Sequence, residues 1–264
     1  MYEQLRFEIR DGVVEIVNRY PSRAGAPGER REEKRKKTPE EMERANERNR
    51  AKNLQRLIMA NFGEGDFHLV LKYKEAPATY AEAKKDLQRF LASMRRACKK
   101  EGYEFKYIGV TERGKRKAVL HHHLIIEDRP GMKELVRRYW KGHCAWHDLY
   151  EDGDFENLAA YIVKKETKEE NEGTTYTRSR NLRIPKVKKV TYKRRVWPAD
   201  PKPRKGWYIV KGSVVNGVNA FTGRPYQNYL TRQVKKDKGC TSRSTSIRRQ
   251  RAPSGQGAGA AATS

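Results

Sequence analysis

A chain of 264 residues with 36% hydrophobic content can bury one good-sized core and leaves much of its length outside it, so one main domain with extensions is expected. Lys and Arg number 59 against 33 Asp and Glu, a formal charge of +26. Repulsion of that size is relieved by a polyanion, nucleic acid first among them, while no run of about 18 apolar residues and no Arg-rich leader supports a membrane span or secretion.

The expected location is therefore the cytoplasm, with no membrane partner. Cys98, Cys144 and Cys240 share no short spacing, which argues against a disulfide framework or a cysteine zinc site and for reduced thiols.

In chain order, "LRFEIRDGVVEIVNRY" alternates on both sides of Asp11-Gly12 and predicts a hairpin. "PSRAGAPGERREEKRKK" combines Pro, Gly and dense charge and reads as a solvated linker or DNA-touching arm. Thr38 with Glu41 makes a capping box, Pro39 suits the first helical turn, and a heavily charged helix to about Ala60 is expected on the outside. "FHLVLKY" then alternates as a strand. Thr79 and Glu82 box a helix whose Ala83, Leu87, Phe90, Leu91 and Met94 recur at helical spacing, and Gly102 supplies the stop.

"YEFKYIGVTE" and "AVLHHHLIIE" read as two strands joined by a turn around Gly114. A helix from about Lys133 to Lys141, the strand "HCAWHDLY" and a last helix "FENLAAYIVKKE", capped at Asp154 or a neighbour, follow. The order strand, helix, strand, strand, helix, strand, helix predicts an α+β fold. It is the ferredoxin-like split βαβ arrangement: one antiparallel sheet, helices on one face and an extra helix free for the other.

In such a sheet the first and third strands are the central pair, and the third carries His121, His122 and His123. Alternation puts Leu120, His122, Leu124 and Ile126 on one face and Val119, His121, His123 and Ile125 on the other. The first set packs on the helices. His121 and His123 are left side by side, near enough to bind one divalent ion, with Glu112 folded back from the preceding strand as third ligand. His-x-His on a strand is by itself a short pattern, and many surface histidines bind nothing. On the last helix Tyr161 and Lys164 share a face while Phe155, Leu158 and Ile162 can face the core. A tyrosine attacks a phosphodiester when a metal polarises the phosphate and a cation lowers the phenol's pKa. An isolated Tyr-x-x-Lys would be ordinary packing; its place in the fold is what singles it out.

The ordered set "FHLVLKY", "HHHLII" and "YIVK" resembles the three motifs of rolling-circle replication initiators, in the His-hydrophobe-His (HUH) endonuclease superfamily, over about residues 61–165. The single-tyrosine plasmid and phage type is the most similar. The resemblance implies a nicking domain that cleaves one strand at an origin with Mg²⁺ or Mn²⁺ and a tyrosine that becomes linked to the 5′ phosphate. It puts the metal on His121, His123 and Glu112, the nucleophile on Tyr161 and the motif lysine on Lys164. Two positions depart from the pattern. The middle residue, usually hydrophobic, is His122, either a satisfied core histidine or a sign of register shifted by one, and Lys165 competes with Lys164.

Beyond residues 61–173, the nicking segment, Arg178, Arg180, Lys186, Lys188, Lys189, Lys193, Arg194 and Arg195 alternate with Tyr176, Tyr192 and Trp197. Cations there can hold phosphates while rings stack on unpaired bases, so single-stranded or origin DNA is the expected partner. Residues 174–234, with turns at Asn216-Gly217 and Thr222-Gly223, read as a small β-rich extension, residues 1–60 as hairpin, linker and helix, and residues 235–264 as a disordered tail. "HCAWH" suggests zinc, but on a strand His143 and His147 point away from Cys144. No G-x-x-x-x-G-K-[ST] loop occurs, so unwinding would need a host helicase, with a host polymerase to extend the strand. The rival readings are a single-tyrosine transposase with the same chemistry and a non-catalytic nucleic-acid-binding protein with structural histidines.

Overall fold

Gly12 takes φ 75° and turns β1 (Tyr2–Arg10) into β2 (Val13–Arg19), as Asp11-Gly12 predicts. The computed structural model describes residues 1–21, 38–75, 77–114, 119–149, 155–164, 176–219 and 222–234; the basic linker, apart from Pro21, and the tail from residue 235 lie outside them. Thr38 accepts from the Glu41 amide and starts α1 (Pro39–Asn61), and Thr79 does the same with Glu82 for α2 (Tyr80–Lys100), which follows β3 (Phe67–Lys72). Then come β4 (Tyr107–Arg113), β5 (Leu120–Ile126), α3 (Met132–Tyr139), β6 (His143–Asp148) and α4 (Glu156–Val163). The chain ends its described part with β7 (Thr177–Arg178), β8 (Lys186–Tyr192), β9 (Trp207–Ile209), β10 (Val215–Val218) and β11 (Pro225–Gln233).

The fold is α+β, as expected, with an antiparallel sheet ordered β6-β3-β5-β4-β7 and the histidine strand β5 beside β3 at its centre. On one face Leu69 and Leu71 of β3, Leu124 and Ile126 of β5, and Tyr107 of β4 pack under Leu87, Phe90, Leu91 and Met94 of α2 and Met132 and Val136 of α3. On the other, Ile108, Val110 and Ile125 pack under Leu54, Leu57 and Ile58 of α1 and Ala159, Ile162 and Val163 of α4. Both faces are thus covered.

Three expectations change. The helix α1 does not lie wholly outside: Leu54, Ile58 and Phe62 are at most 2% exposed, because its polar first half hides an apolar i, i+3, i+4 stripe in the second when charge is averaged along it. The hairpin and the C-terminal extension are not separate pieces, since β1 pairs with β8 and β2 with β11 to build a second antiparallel sheet, β10-β11-β2-β1-β8, with β9 on β11. That sheet meets α1 through Met59 against Ile9, Val13 and Leu230. Asn216-Gly217 is strand rather than turn: a Cβ on Gly217 would lie 2.6 Å from the Tyr226 ring, so glycine there makes room for a cross-strand aromatic. The turn sits at Thr222-Gly223, with Gly223 at φ 62°. One strand that the sequence pattern does not announce, β7, closes the edge of the first sheet on β4.

Ile58→Ala should cost about 2–5 kcal/mol by removing fully buried methylenes, whereas Met42→Ala in the exposed half of α1 should stay within about 0.5 kcal/mol. Urea denaturation of both variants measures the difference.

Candidate active site

Antiparallel pairing of β4 with β5 sets Glu112 opposite His121 and Val110 opposite His123, so carboxylate and imidazoles rise from one face. Glu112 Oε1 lies 2.7 Å from His123 Nε2 and 3.9 Å from His121 Nε2. The two imidazole planes meet at 66°, which aims their edges toward the carboxylate rather than stacking them. One ligand atom from each of the three residues falls within 4.8 Å of the others, and Glu112 is 2% exposed. A carboxylate that deep needs positive charge beside it, and a proton on Nε2 or a cation between the groups supplies it. The three therefore form a group able to hold a metal ion. One carboxylate oxygen and two imidazole nitrogens are a borderline donor set that suits Mn²⁺ better than Mg²⁺, and nothing in the geometry selects between them.

His122 settles the register. It points to the opposite face, fully buried, with its Nε2 2.7 Å from the Tyr73 hydroxyl and its Nδ1 2.8 Å from the Thr111 hydroxyl. It is a satisfied core histidine, and the pair that faces Glu112 is His121 and His123.

Tyr161 comes to the same site from α4, its hydroxyl 3.2 Å from His123 Nε2 and hydrogen-bonded to Glu112. The side chain remains 41% exposed while its neighbours Ile162 and Val163 are buried. Burial, and then the hydrogen bond and charge of Glu112, push the phenol's pKa well up from its ordinary value. Lys164 is the C-cap, its amide donating to the Tyr161 carbonyl at 3.3 Å, and its backbone turns extended at ψ 130°. It stays three residues from Tyr161 at the helix end; Lys165 lies outside the described residues. The cap of α4 is Phe155, with φ 56° and no side-chain capping bond, rather than Asp154, which also lies outside them.

One contact goes beyond the sequence reading. His68 of β3 places Nε2 3.0 Å from Nδ1 of His123, and the exposed His147 of β6 stands next in the row, 5.7 Å from His68 between ring centroids. Burial, then the neighbouring His123 and His147, lower the His68 pKa to about 4, so its ring is neutral at neutral pH. A signal for it exists in "FHLVLKY": alternation puts His68 on the face of Val70, and Val70 pairs with His123. His143 and His147 share that face with Ala145, while Cys144 packs toward the α2 and α3 core. Among the described cysteines Cys98 and Cys144 are free thiols; Cys240 lies outside.

Residues 66–170 match the family model of the replication-associated protein ORF2. That match supports a replication initiator family. The matched stretch holds β3 through α4, hence Glu112, His121, His123 and Tyr161 together. No curated protein and no solved structure gives a significant match.

The basic residues divide into two groups. Lys188 pairs with Glu8 at 2.6 Å, Lys189 pairs with Glu3, and Lys188 and Lys186 both hold the Glu8 carboxyl below its usual range, so these three lysines serve the second sheet. Arg178, Arg180, Lys193, Arg194 and Arg195 are exposed. Behind the last three, Tyr2 stacks on Tyr192 at 4.9 Å and Trp197 packs between Tyr2 and Tyr20. No described helix is long and apolar enough to cross a membrane.

Burial, reinforced by His121 and His123, depresses His122 from 6.5 to about 3. Between those values the unfolded chain binds a proton that the fold refuses, so stability is fully present above about 6.5 and is lost as pH falls toward 3, by up to about 1.4 kcal/mol per pH unit. In chelator-treated protein, denaturation midpoints from pH 7.5 to 4.5 should fall less steeply for His122→Leu than for the parent chain.

Proposed function

We propose that this protein initiates rolling-circle replication as a metal-dependent, site-specific single-strand DNA endonuclease and strand transferase with Tyr161 as nucleophile. The observation that carries this is the Tyr161 hydroxyl 3.2 Å from the His123 nitrogen that faces Glu112. A nucleophile from one helix and a potential cation site from two strands meet there, inside the stretch that matches a replication-associated family.

Glu112, His121 and His123 would hold Mg²⁺ or Mn²⁺, which supplies a Lewis acid for a non-bridging phosphate oxygen. Tyr161, open to solvent on one side, accepts the scissile phosphate of a single strand. Its phenol loses a proton to solvent, its oxygen bonds to phosphorus, and the bond to the 3′ oxygen breaks. That oxygen leaves with the electron pair and is protonated to a 3′ hydroxyl. The 5′ phosphate stays on Tyr161, which preserves a phosphodiester for later rejoining without ATP. Lys164, one turn along, favours the phenolate. The partner is origin DNA in single-stranded form in the cytoplasm of a bacterial host, with host helicase and polymerase completing the cycle.

Tyr161→Phe removes one oxygen, so folding and DNA affinity should persist while nicking and the covalent adduct vanish. Lys164→Ala should move the rate profile to higher pH, since losing a cation raises the phenol's pKa and the phenolate fraction rises with pH. Mass spectrometry of the nuclease-trimmed adduct decides the assignment: a mass on another tyrosine, or full nicking by Tyr161→Phe, removes this reading.

Replacing Lys193, Arg194 and Arg195 together by Ala should weaken single-stranded DNA binding and lower the slope of log K against log salt by about 0.7 for each phosphate that is no longer neutralised. An unchanged slope would clear this strip of the second sheet from DNA binding.

A further inference from the structure

His121 and His123 turn the same nitrogen, Nε2, toward Glu112, but their far nitrogens are held differently. His121 sets Nδ1 3.1 Å from the Val119 carbonyl, a group that can only accept, so that nitrogen carries the proton and Nε2 turns its lone pair to the site. Metal-binding histidines are held in this manner, the far ring nitrogen donating to a carbonyl, carboxylate or water. His123 instead has its Nδ1 facing His68 Nε2 at 3.0 Å. The two rings are inclined by only 22° with centroids 5.1 Å apart, which is close to the nitrogen separation plus two ring radii. They therefore meet edge to edge in nearly one plane, as a hydrogen bond along a ring lone pair requires, and do not stack face to face.

The alternative tautomer of His123 has a ready partner. Glu112 Oε1 lies 2.7 Å from Nε2 and draws a proton there, and a proton on Nε2 occupies the lone pair a cation needs. We infer that His68 is a positioning residue that holds the proton of His123 on Nδ1, against the pull of Glu112, and so keeps Nε2 available to a divalent cation. The inference rests on the reading of Glu112, His121 and His123 as a cation site. His68 touches neither the cation nor DNA; it acts through His123. For it to accept on Nε2 its own proton must be on Nδ1, the nitrogen on the far side of the ring from His123.

The test uses the full chain with Mn²⁺ as probe. Electron paramagnetic resonance titration should show the parent chain binding the ion, His68→Leu binding it about 10–100-fold more weakly, and His68→Gln, whose amide oxygen can accept from Nδ1–H, recovering most of the loss. Should His68→Leu not fold, His68→Val, a strand-compatible side chain, takes its place. A merely structural His68 would shift the unfolding midpoint and leave the tautomer alone, so nitrogen-15 spectra of the His123 ring provide the second readout. Nδ1 should be protonated in the parent chain and in His68→Gln, with the proton moved to Nε2 in His68→Leu. Unchanged Mn²⁺ affinity together with an unchanged tautomer in His68→Leu overturns the inference while leaving the cation site in place. Absence of Mn²⁺ binding in the parent chain instead overturns the cation site, and the tautomer readout then decides the role of His68 by itself.

Discussion

Everything at the candidate site depends on one constraint, the register that sets Glu112 opposite His121 across β4 and β5. Slipping that pairing by a single residue would send the two imidazoles to the α2 face and bring His122 out in their place. Two features oppose the slip. His122 is locked by the hydroxyls of Tyr73 and Thr111, and burying its ring without those partners would leave a polar group unsatisfied in the core. On the same face Leu124 and Ile126 fill the space beneath α2. The third histidine of the run is thus what fixes the geometry of the other two, and its polar partners serve register as much as stability.

Much of this is legible in the sequence because local chemistry and tertiary context agree. Both capping boxes, the Asp11-Gly12 turn and the alternation of β3 and β5 are short-range signals, and the structure keeps each of them. Convergence of Glu112 with the histidine pair follows from a hairpin that the sequence announces on both sides of Gly114. What cannot be read depends on pairing between distant segments. Nothing local in β1 or β11 says that they share a sheet, since β2 and β11 are separated by roughly 200 positions and register across such a gap is set by packing. His68 escapes a local reading for the same reason: only the β3 to β5 register turns an unremarked histidine in a strand into a neighbour of His123. The α1 helix misleads in another way, because a 23-residue average of charge conceals an apolar stripe confined to its second half.

The second sheet bears on the site through that stripe. Glu15 of β2 is 2% exposed and pairs with Lys52 at 3.0 Å and Arg56 at 2.5 Å, both on α1, while Arg56 also lies 3.6 Å over the Phe7 ring. Burial alone would raise the Glu15 pKa, but the two cations outweigh it and hold the carboxyl below its usual range. Removing either cation would leave a buried charge poorly compensated, so α1 is held to the sheet by groups that cannot simply be trimmed.

From α1 the packing continues to the nucleophile. Leu54, Leu57 and Ile58 pack in one cluster with Ala159, Ile162 and Val163 of α4, and Tyr161 projects from between those buried residues toward His123. Phe155 begins α4 at φ 56°, a conformation that costs a bulky residue about 1–3 kcal/mol and persists only where packing imposes it. Its ring supplies that packing, lying against both the α1–α4 cluster and the cluster that joins α1 to the second sheet. The phenol is therefore placed by tertiary packing at both ends of a two-turn helix too short to hold its own position in water. Glu112, His121 and His123, by contrast, are fixed by backbone pairing within one sheet. A site assembled from one rigid half and one half that depends on α1 places the burden of alignment on the α1–α4 interface, and on the second sheet that anchors α1 from its other side.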